Sequence, residues 1–165
     1  MNNKNTIYTF VAISTAIYIL ESYIPRPLPW IRIGLSNVII LVVLYFFSID
    51  IAIKVVFYRV FFGSLFTGTL FTPTFFISIS GGIMATISMY FAIKIFKKIL
   101  SPVGVSIIGA ETHIITQLIF VYFFIIKDAS IFNLTPFLIL FSIFSGTIVG
   151  IIGNGVINEL VDFFK

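Results

Sequence analysis

The sequence predicts an all-α polytopic membrane protein, with six transmembrane helices forming a single integral membrane domain over residues 1–165. Three observations predict it. Hydrophobic residues make up 59% of the chain and charged residues 10%, where a soluble domain carries about 25% charge to face water. Apolar stretches of near-spanning length recur six times, separated by proline, glycine or charge. The lysines and arginines gather at alternate ends of these stretches, as topology signals do.

Crossing the hydrocarbon takes ~20 apolar residues, with a range of about 17–25. The first span runs from Ile7 to Ile24 and ends in Pro25-Arg26-Pro27-Leu28-Pro29-Trp30, whose prolines cannot continue a helix. No small-x-small site ends it, so it is expected to stay in the chain rather than act as a cleaved signal. The second span runs from Ile33 to Ile49. After the turn at Asp50 the third continues to Phe66. Both are short for a full crossing. Thr67-Gly68-Thr69 and Pro73 precede the fourth span, Thr74 to Phe96, which ends at Lys97 and Lys98. The fifth runs from Val103 to Ile126 and stops at Lys127-Asp128. The sixth, after a loop carrying Asn133, runs from Pro136 to Leu160.

Placing the N-terminus in the cytoplasm puts Lys4, Lys54, Lys94, Lys97, Lys98 and Lys165 inside and Arg26, Arg32 and Lys127 outside. That excess favours a cell-membrane protein with both termini cytoplasmic and Trp30 at the outer interface. The net charge of +4 is scattered, so no nucleic-acid patch is expected. Small residues recur at close-approach spacing: Ala12 with Ala16, Gly81 with Gly82, Gly104 with Gly109, and Gly146 with Gly150.

Ionisable groups inside spans carry most of the information. A central charge costs ~2.5–3.5 kcal/mol even on a lenient insertion scale, so it is paired or functional. Arg59 lies ~14 Å above Asp50 and Glu111 ~11 Å above Gly104 at 1.5 Å per residue, depths that allow an Arg59–Glu111 ion pair. Alternatively, Arg59 faces a cavity and neutralises an anionic ligand group. Ser106, Gly109, Ala110, His113 and Gln117 form one stripe on the fifth span, with Glu111 pointing nearly the opposite way. The stripe suits a tight helix contact or a cavity wall. His113 reads as a satisfied interior histidine or, with Gln117 one turn away, as a ligand contact. Arg32 and Asn37 near the outer end of the second span, and Asn154 in the last, are further candidates. Arg26 and Arg32 also suit headgroup anchoring.

Several chemistries are excluded. The chain has no cysteine, no P-loop and no HExxH or GxSxG. A single histidine and sparse acids leave no metal site. The acids (Glu21, Asp50, Glu111, Asp128, Glu159 and Asp162) form no aspartate-rich magnesium-diphosphate motif. No catalytic residue and no cofactor are expected, and the chain is expected not to be an enzyme.

The stretches Ile24-Pro25-Arg26-Pro27-Leu28-Pro29, Arg32-Ile33-Gly34-Leu35-Ser36-Asn37, Arg59 with Gly63 and Gly68, Ser80-Gly81-Gly82, and Gly104 through Ala110 with His113 and Gln117 share an order and spacing. In them the chain, from about Thr9 to Gly153, resembles the Gx transporter family, whose members are often labelled heptaprenyl diphosphate synthase component I. That family is similar to the substrate-binding S components of energy-coupling-factor transporters. The resemblance implies an S-component-like fold, with an outer-half ligand pocket under the first, third and fifth loops. It also implies partnership with a transmembrane coupling subunit and ATPase subunits, with Ala12 and Ala16 matching the alanine pattern that docks the coupling subunit. The ligand is expected to be small and anionic or phosphate-bearing. The competing expectation is a noncatalytic membrane subunit of a heptaprenyl diphosphate synthase or of a quinone- or flavin-related assembly. A standalone carrier is a third.

Overall fold

A computed structural model describes residues 3–25, 31–96 and 99–163. The first-loop residues Arg26 through Trp30, the Lys97-Lys98 pair and Lys165 fall outside them. Among the described residues the chain forms six α-helices and no strand. They are α1 (Asn3–Ser22), α2 (Asn37–Phe46), α3 (Ile49–Phe66), α4 (Pro73–Phe96), α5 (Pro102–Val121) and α6 (Thr135–Phe163). A single π-helical turn, Tyr122–Ile126, extends α5, and a short 3₁₀ segment, Ala129–Leu134, leads into α6.

The boundaries have local causes. Ser101 caps α5 by accepting the Gly104 N–H, and Pro102 follows at the first helical position, where its missing N–H costs nothing. Asp50 in the first turn of α3 faces the positive end of that helix. At the other end of α3, Gly68 turns the chain with φ +69°, and the Thr69 N–H returns to the Ser64 carbonyl. Asp128 closes the turn before the 3₁₀ segment by accepting the Ser130 N–H at 2.9 Å.

Among the described residues, three segments are long and apolar enough to cross a membrane: Pro73–Phe96, Pro102–Ile126 and Ala129–Asp162. Helix α3 has 18 residues but carries Asp50, Lys54 and Arg59. The largest departure from expectation is the second span. Instead of Ile33 to Ile49, only the ten residues Asn37–Phe46 are helical, a length of about 15 Å, half the thickness of the hydrocarbon core.

That short helix is buried on most sides. Val38, Ile40, Leu41, Val42, Val43 and Leu44 are all shielded, and α2 touches α1, α3, α4 and α6. A helix apolar all round is either a span or a core element, and here it forms the core. Around it, α5 packs between α4 and α6, and α3 between α1 and α4. The α5–α6 seam closes on glycine. An ideal Cβ on Gly146 would lie 2.8 Å from the Ile107 Cα, and one on Gly150 would lie 2.6 Å from the Val103 Cα.

Polar side chains lie inside alongside the apolar core, and large apolar ones face outward. Ser14, Glu21, Arg59, Thr86, Gln117 and Ser142 are buried, while Leu20, Phe66, Ile95, Phe124, Leu140 and Phe144 are exposed. Such continuous apolar exposure marks an interaction surface rather than a wetted one, and it is compatible with a lipid environment.

Candidate functional site

Helices α1, α3 and α5 end, and α2, α4 and α6 begin, at one end of the bundle. A polar network lies just inside that end. Glu21, in the last turn of α1, is 3% exposed. Its carboxylate accepts the N–H groups of Gly34 at 2.7 Å, Leu35 at 2.9 Å and Ser36 at 3.4 Å. These donors stand at the start of α2, where backbone N–H groups lack helical partners and the helix dipole is positive. Gly34 adopts φ +82° to aim them, and a Cβ there would also meet Asn37 Nδ2 at 3.0 Å. Ser14 ties α1 to the same segment by donating to the Ser36 carbonyl at 3.3 Å.

Arg59 enters from α3 and is 2% exposed. Its Nη1 donates to Ser36 Oγ and to Asn37 Oδ1, both at 3.0 Å. Its Nε has no acceptor. A guanidinium has five N–H donors, so this one is only partly satisfied. The glycine pair of α4 lies alongside, with a Cβ on Gly82 meeting Val56 at 2.9 Å. A Cβ on Gly82 would sit 3.6 Å from Arg59 Nη2, and one on Gly81 would meet Gln117 Cγ at 3.0 Å and His113 Nε2 at 3.2 Å. Gln117 is 3% exposed and has no hydrogen-bond partner among the described residues. His113 Nδ1 is buried without one as well.

These groups enclose a cavity of about 40 Å³, completed by Tyr18, Arg32, Ile33, Ser78, Ala110 and Ser145 among others. At roughly 10–15 Å³ of such volume per water, it holds about three waters, or one small polar headgroup. Its lining carries Arg32 and Arg59 against a single acid, Glu21, whose oxygens are already engaged by the backbone. The field inside therefore favours an anion. Arg32 lies over the Tyr18 ring, 3.9 Å from its centroid, and the Tyr18 hydroxyl meets Ser64 Oγ at 3.4 Å. Arg32 also lines an outer cleft of about 570 Å³ formed with Ser22, Tyr23, Phe66, Thr67, Thr69 and Thr74.

The structure brings together five of the six solute-contact candidates, Arg32, Asn37, Arg59, His113 and Gln117. Asn154 is not among the lining residues. Its neighbour Gly153 packs on Leu41 in the core, away from the cavity. The expected Arg59–Glu111 pair is replaced by other partners. Arg59 meets Ser36 and Asn37, while Glu111 is half-buried on a sector of α5 outside the cavity lining. Matching depth was not enough, because the two helices do not turn those residues toward each other. The α5 stripe divides. Ala110, His113 and Gln117 wall the cavity, whereas Ser106 and Gly109 serve helix contact, with Gly109 against Met89. Ala12 and Ala16 are exposed on α1.

Glu21, Tyr18 and Ser36 were not singled out from the sequence. A signal existed, since Ser14, Tyr18 and Glu21 fall at helical spacing on one face of an otherwise apolar helix. A family model described as heptaprenyl diphosphate synthase component I matches residues 10–156. No curated protein and no solved structure matches the chain.

Proposed function

The chain belongs to the heptaprenyl diphosphate synthase component I family, and from that premise we propose that it is a membrane-embedded, S-component-like subunit that binds a small anionic or phosphate-bearing solute. In this reading six helices are embedded in the cell membrane with both termini cytoplasmic. The cavity opens outward, and a transmembrane coupling subunit with ATPase subunits supplies energy. The chain contributes binding rather than catalysis. Ala12 and Ala16 form the docking face, because small side chains let membrane helices approach closely.

One observation carries the solute reading: a buried cavity lined by two arginines and one already engaged carboxylate, with Arg59 Nε and the Gln117 amide without hydrogen-bond partners among the described residues. Buried polar groups in a membrane are expensive, and a ligand that meets them offsets the cost. Native mass spectrometry of detergent-purified protein tests this. The expected spectrum shows a retained anionic small molecule and copurifying coupling and ATPase subunits. A bare chain with neither counts against the proposal.

The family description itself favours a second reading, a noncatalytic membrane partner of a heptaprenyl diphosphate synthase. Copurification with a soluble prenyl synthase, and loss of long-chain product on deletion of this chain, would select it. The two readings place different proteins beside the same helices, so one affinity purification separates them.

A further inference from the structure

The inner cavity and the outer cleft share Arg32, and their chemistries differ. The cavity is small, about 40 Å³, and its lining is cationic. The cleft is about 570 Å³ and is walled mainly by hydroxyls and aromatic rings, from Ser22, Tyr23, Phe66, Thr67, Thr69 and Thr74. A ligand larger than three waters cannot lie wholly in the first, and the second offers an anion one arginine, Arg32, where the first offers two.

We propose that the two spaces are compartments of one site that takes its ligand oxoanion first, with a carboxylate or phosphate head seated on Arg59 and Gln117 and an uncharged body held in the hydroxyl-lined cleft. This rests on reading the cavity as a solute site.

The geometry of Arg59 sets the direction. Its Nη1 is occupied by Ser36 and Asn37. No protein acceptor sits on Nε, and Nη2 takes no part in the Ser36 and Asn37 bonds. The Nε–Nη2 edge is the edge of the guanidinium fork that binds carboxylate and phosphate with two parallel hydrogen bonds. The competing anion seat, the start of α2, is not available, because Glu21 already accepts its three N–H groups. His113 Nδ1 and the Gln117 amide add polar contacts on the α5 side. Arg32, lying against Tyr18 where the compartments meet, contributes positive charge to both.

The test uses full-length protein in nanodiscs and four probes: inorganic phosphate (head alone), phenol (body alone), phenyl phosphate and benzoate (head with body). Affinity is read by isothermal titration and by thermal shift. Phenyl phosphate or benzoate is expected to bind about tenfold or more tightly than phosphate, a gap of about 1.4 kcal/mol, with phenol weakest. Thr74→Val, in the cleft, narrows the gap between phenyl phosphate and phosphate. Arg59→Lys keeps the charge but loses the two-pronged edge, and it weakens both anions at least tenfold. Gln117→Leu, which changes no charge, guards against Arg59 variants that fail to fold, and it also weakens both.

Equal affinity for phosphate and phenyl phosphate overturns the two-compartment arrangement. Arg59→Lys and Gln117→Leu leaving phosphate binding intact overturns the inward-facing head. In either case a solute retained in native mass spectra leaves the broader solute-binding reading standing. Absence of all probe binding together with absence of a retained solute removes both.

Discussion

Glu21 is the residue whose replacement tests the architecture of the site most directly. It is 3% exposed and accepts three backbone N–H groups at 2.7, 2.9 and 3.4 Å. Glu21→Ala leaves three buried donors, each worth about 1–3 kcal/mol when stranded. The 3.4 Å contact is weak, and water entering the space left by the carboxylate recovers part of the loss, so a net cost of about 3 kcal/mol is expected. For a chain of this length, at roughly 2–4 °C per kcal/mol, that lowers Tm by about 6–12 °C. Glu21→Gln keeps one acceptor oxygen but turns an NH₂ group toward donors, and it should fall about midway. Thermal unfolding followed by fluorescence-detected size exclusion in detergent measures both. In the fraction that stays folded, the lining loses its one negative charge, so phosphate should bind more tightly than to the native chain. A Glu21→Ala protein that melts within about 2 °C of the native one would refute the anchoring role, and weakened phosphate binding in folded Glu21→Gln would refute the charge argument.

Three further outcomes are expected. Gly146→Ala should destabilise by about 1–3 kcal/mol, because its Cβ would approach the Ile107 backbone to 2.8 Å, whereas Gly155→Ala, with nothing within 4 Å, should not destabilise; thermal unfolding compares the pair. Ala12→Leu and Ala16→Leu, both at exposed positions, should spare folding and solute binding but reduce copurification of a coupling subunit, and undiminished assembly removes that face from the docking argument. Because the chain contains no cysteine, single cysteines at Thr69, Ser101 and Asp128 report topology without background. An impermeant maleimide applied to intact cells should label the first and third and miss the second; labelling at Ser101 contradicts the proposed orientation.

Much of this was legible in the sequence because membrane chains concentrate their information in few polar residues. Proline, glycine and lysine punctuation placed α3 through α6 within a few residues of their observed ends. The stripe through Ser106, Gly109, Ala110, His113 and Gln117 suited either a helix contact or a cavity wall, and α5 uses its two halves for the two purposes. What failed shares one cause. Apolar composition cannot fix where a helix starts, so residues 33–49 read as one span where only Asn37–Phe46 is helical and packs against four other helices. Depth along a helix fixes one coordinate and leaves the rotation about its axis open, so Arg59 and Glu111 matched in depth and do not meet. Glu21 looked like the end of a hydrophobic run because its partners lie 13 to 15 residues away, across a loop whose shape depends on the positive φ of Gly34.

The state of Arg59 also bears on the choice between the two proposed readings. A buried ion pair is weak evidence for stability, since well-packed apolar residues of similar volume often serve as well or better. A subunit kept only for its bulk or for a docking face therefore has little reason to retain a guanidinium at 2% exposure. It has still less reason to leave one edge of the fork without an acceptor. Arg59 does tie α3 to the start of α2 through Ser36 and Asn37, but those bonds use Nη1 and leave the Nε edge unexplained. Under the proposed solute reading, the open edge meets an acceptor that comes and goes, and a ligand there offsets the cost of the unpaired donor. That argues for solute capture within this chain, whichever complex it serves. A synthase partner with no ligand of its own should instead keep its complex intact with Arg59→Lys, which retains the charge.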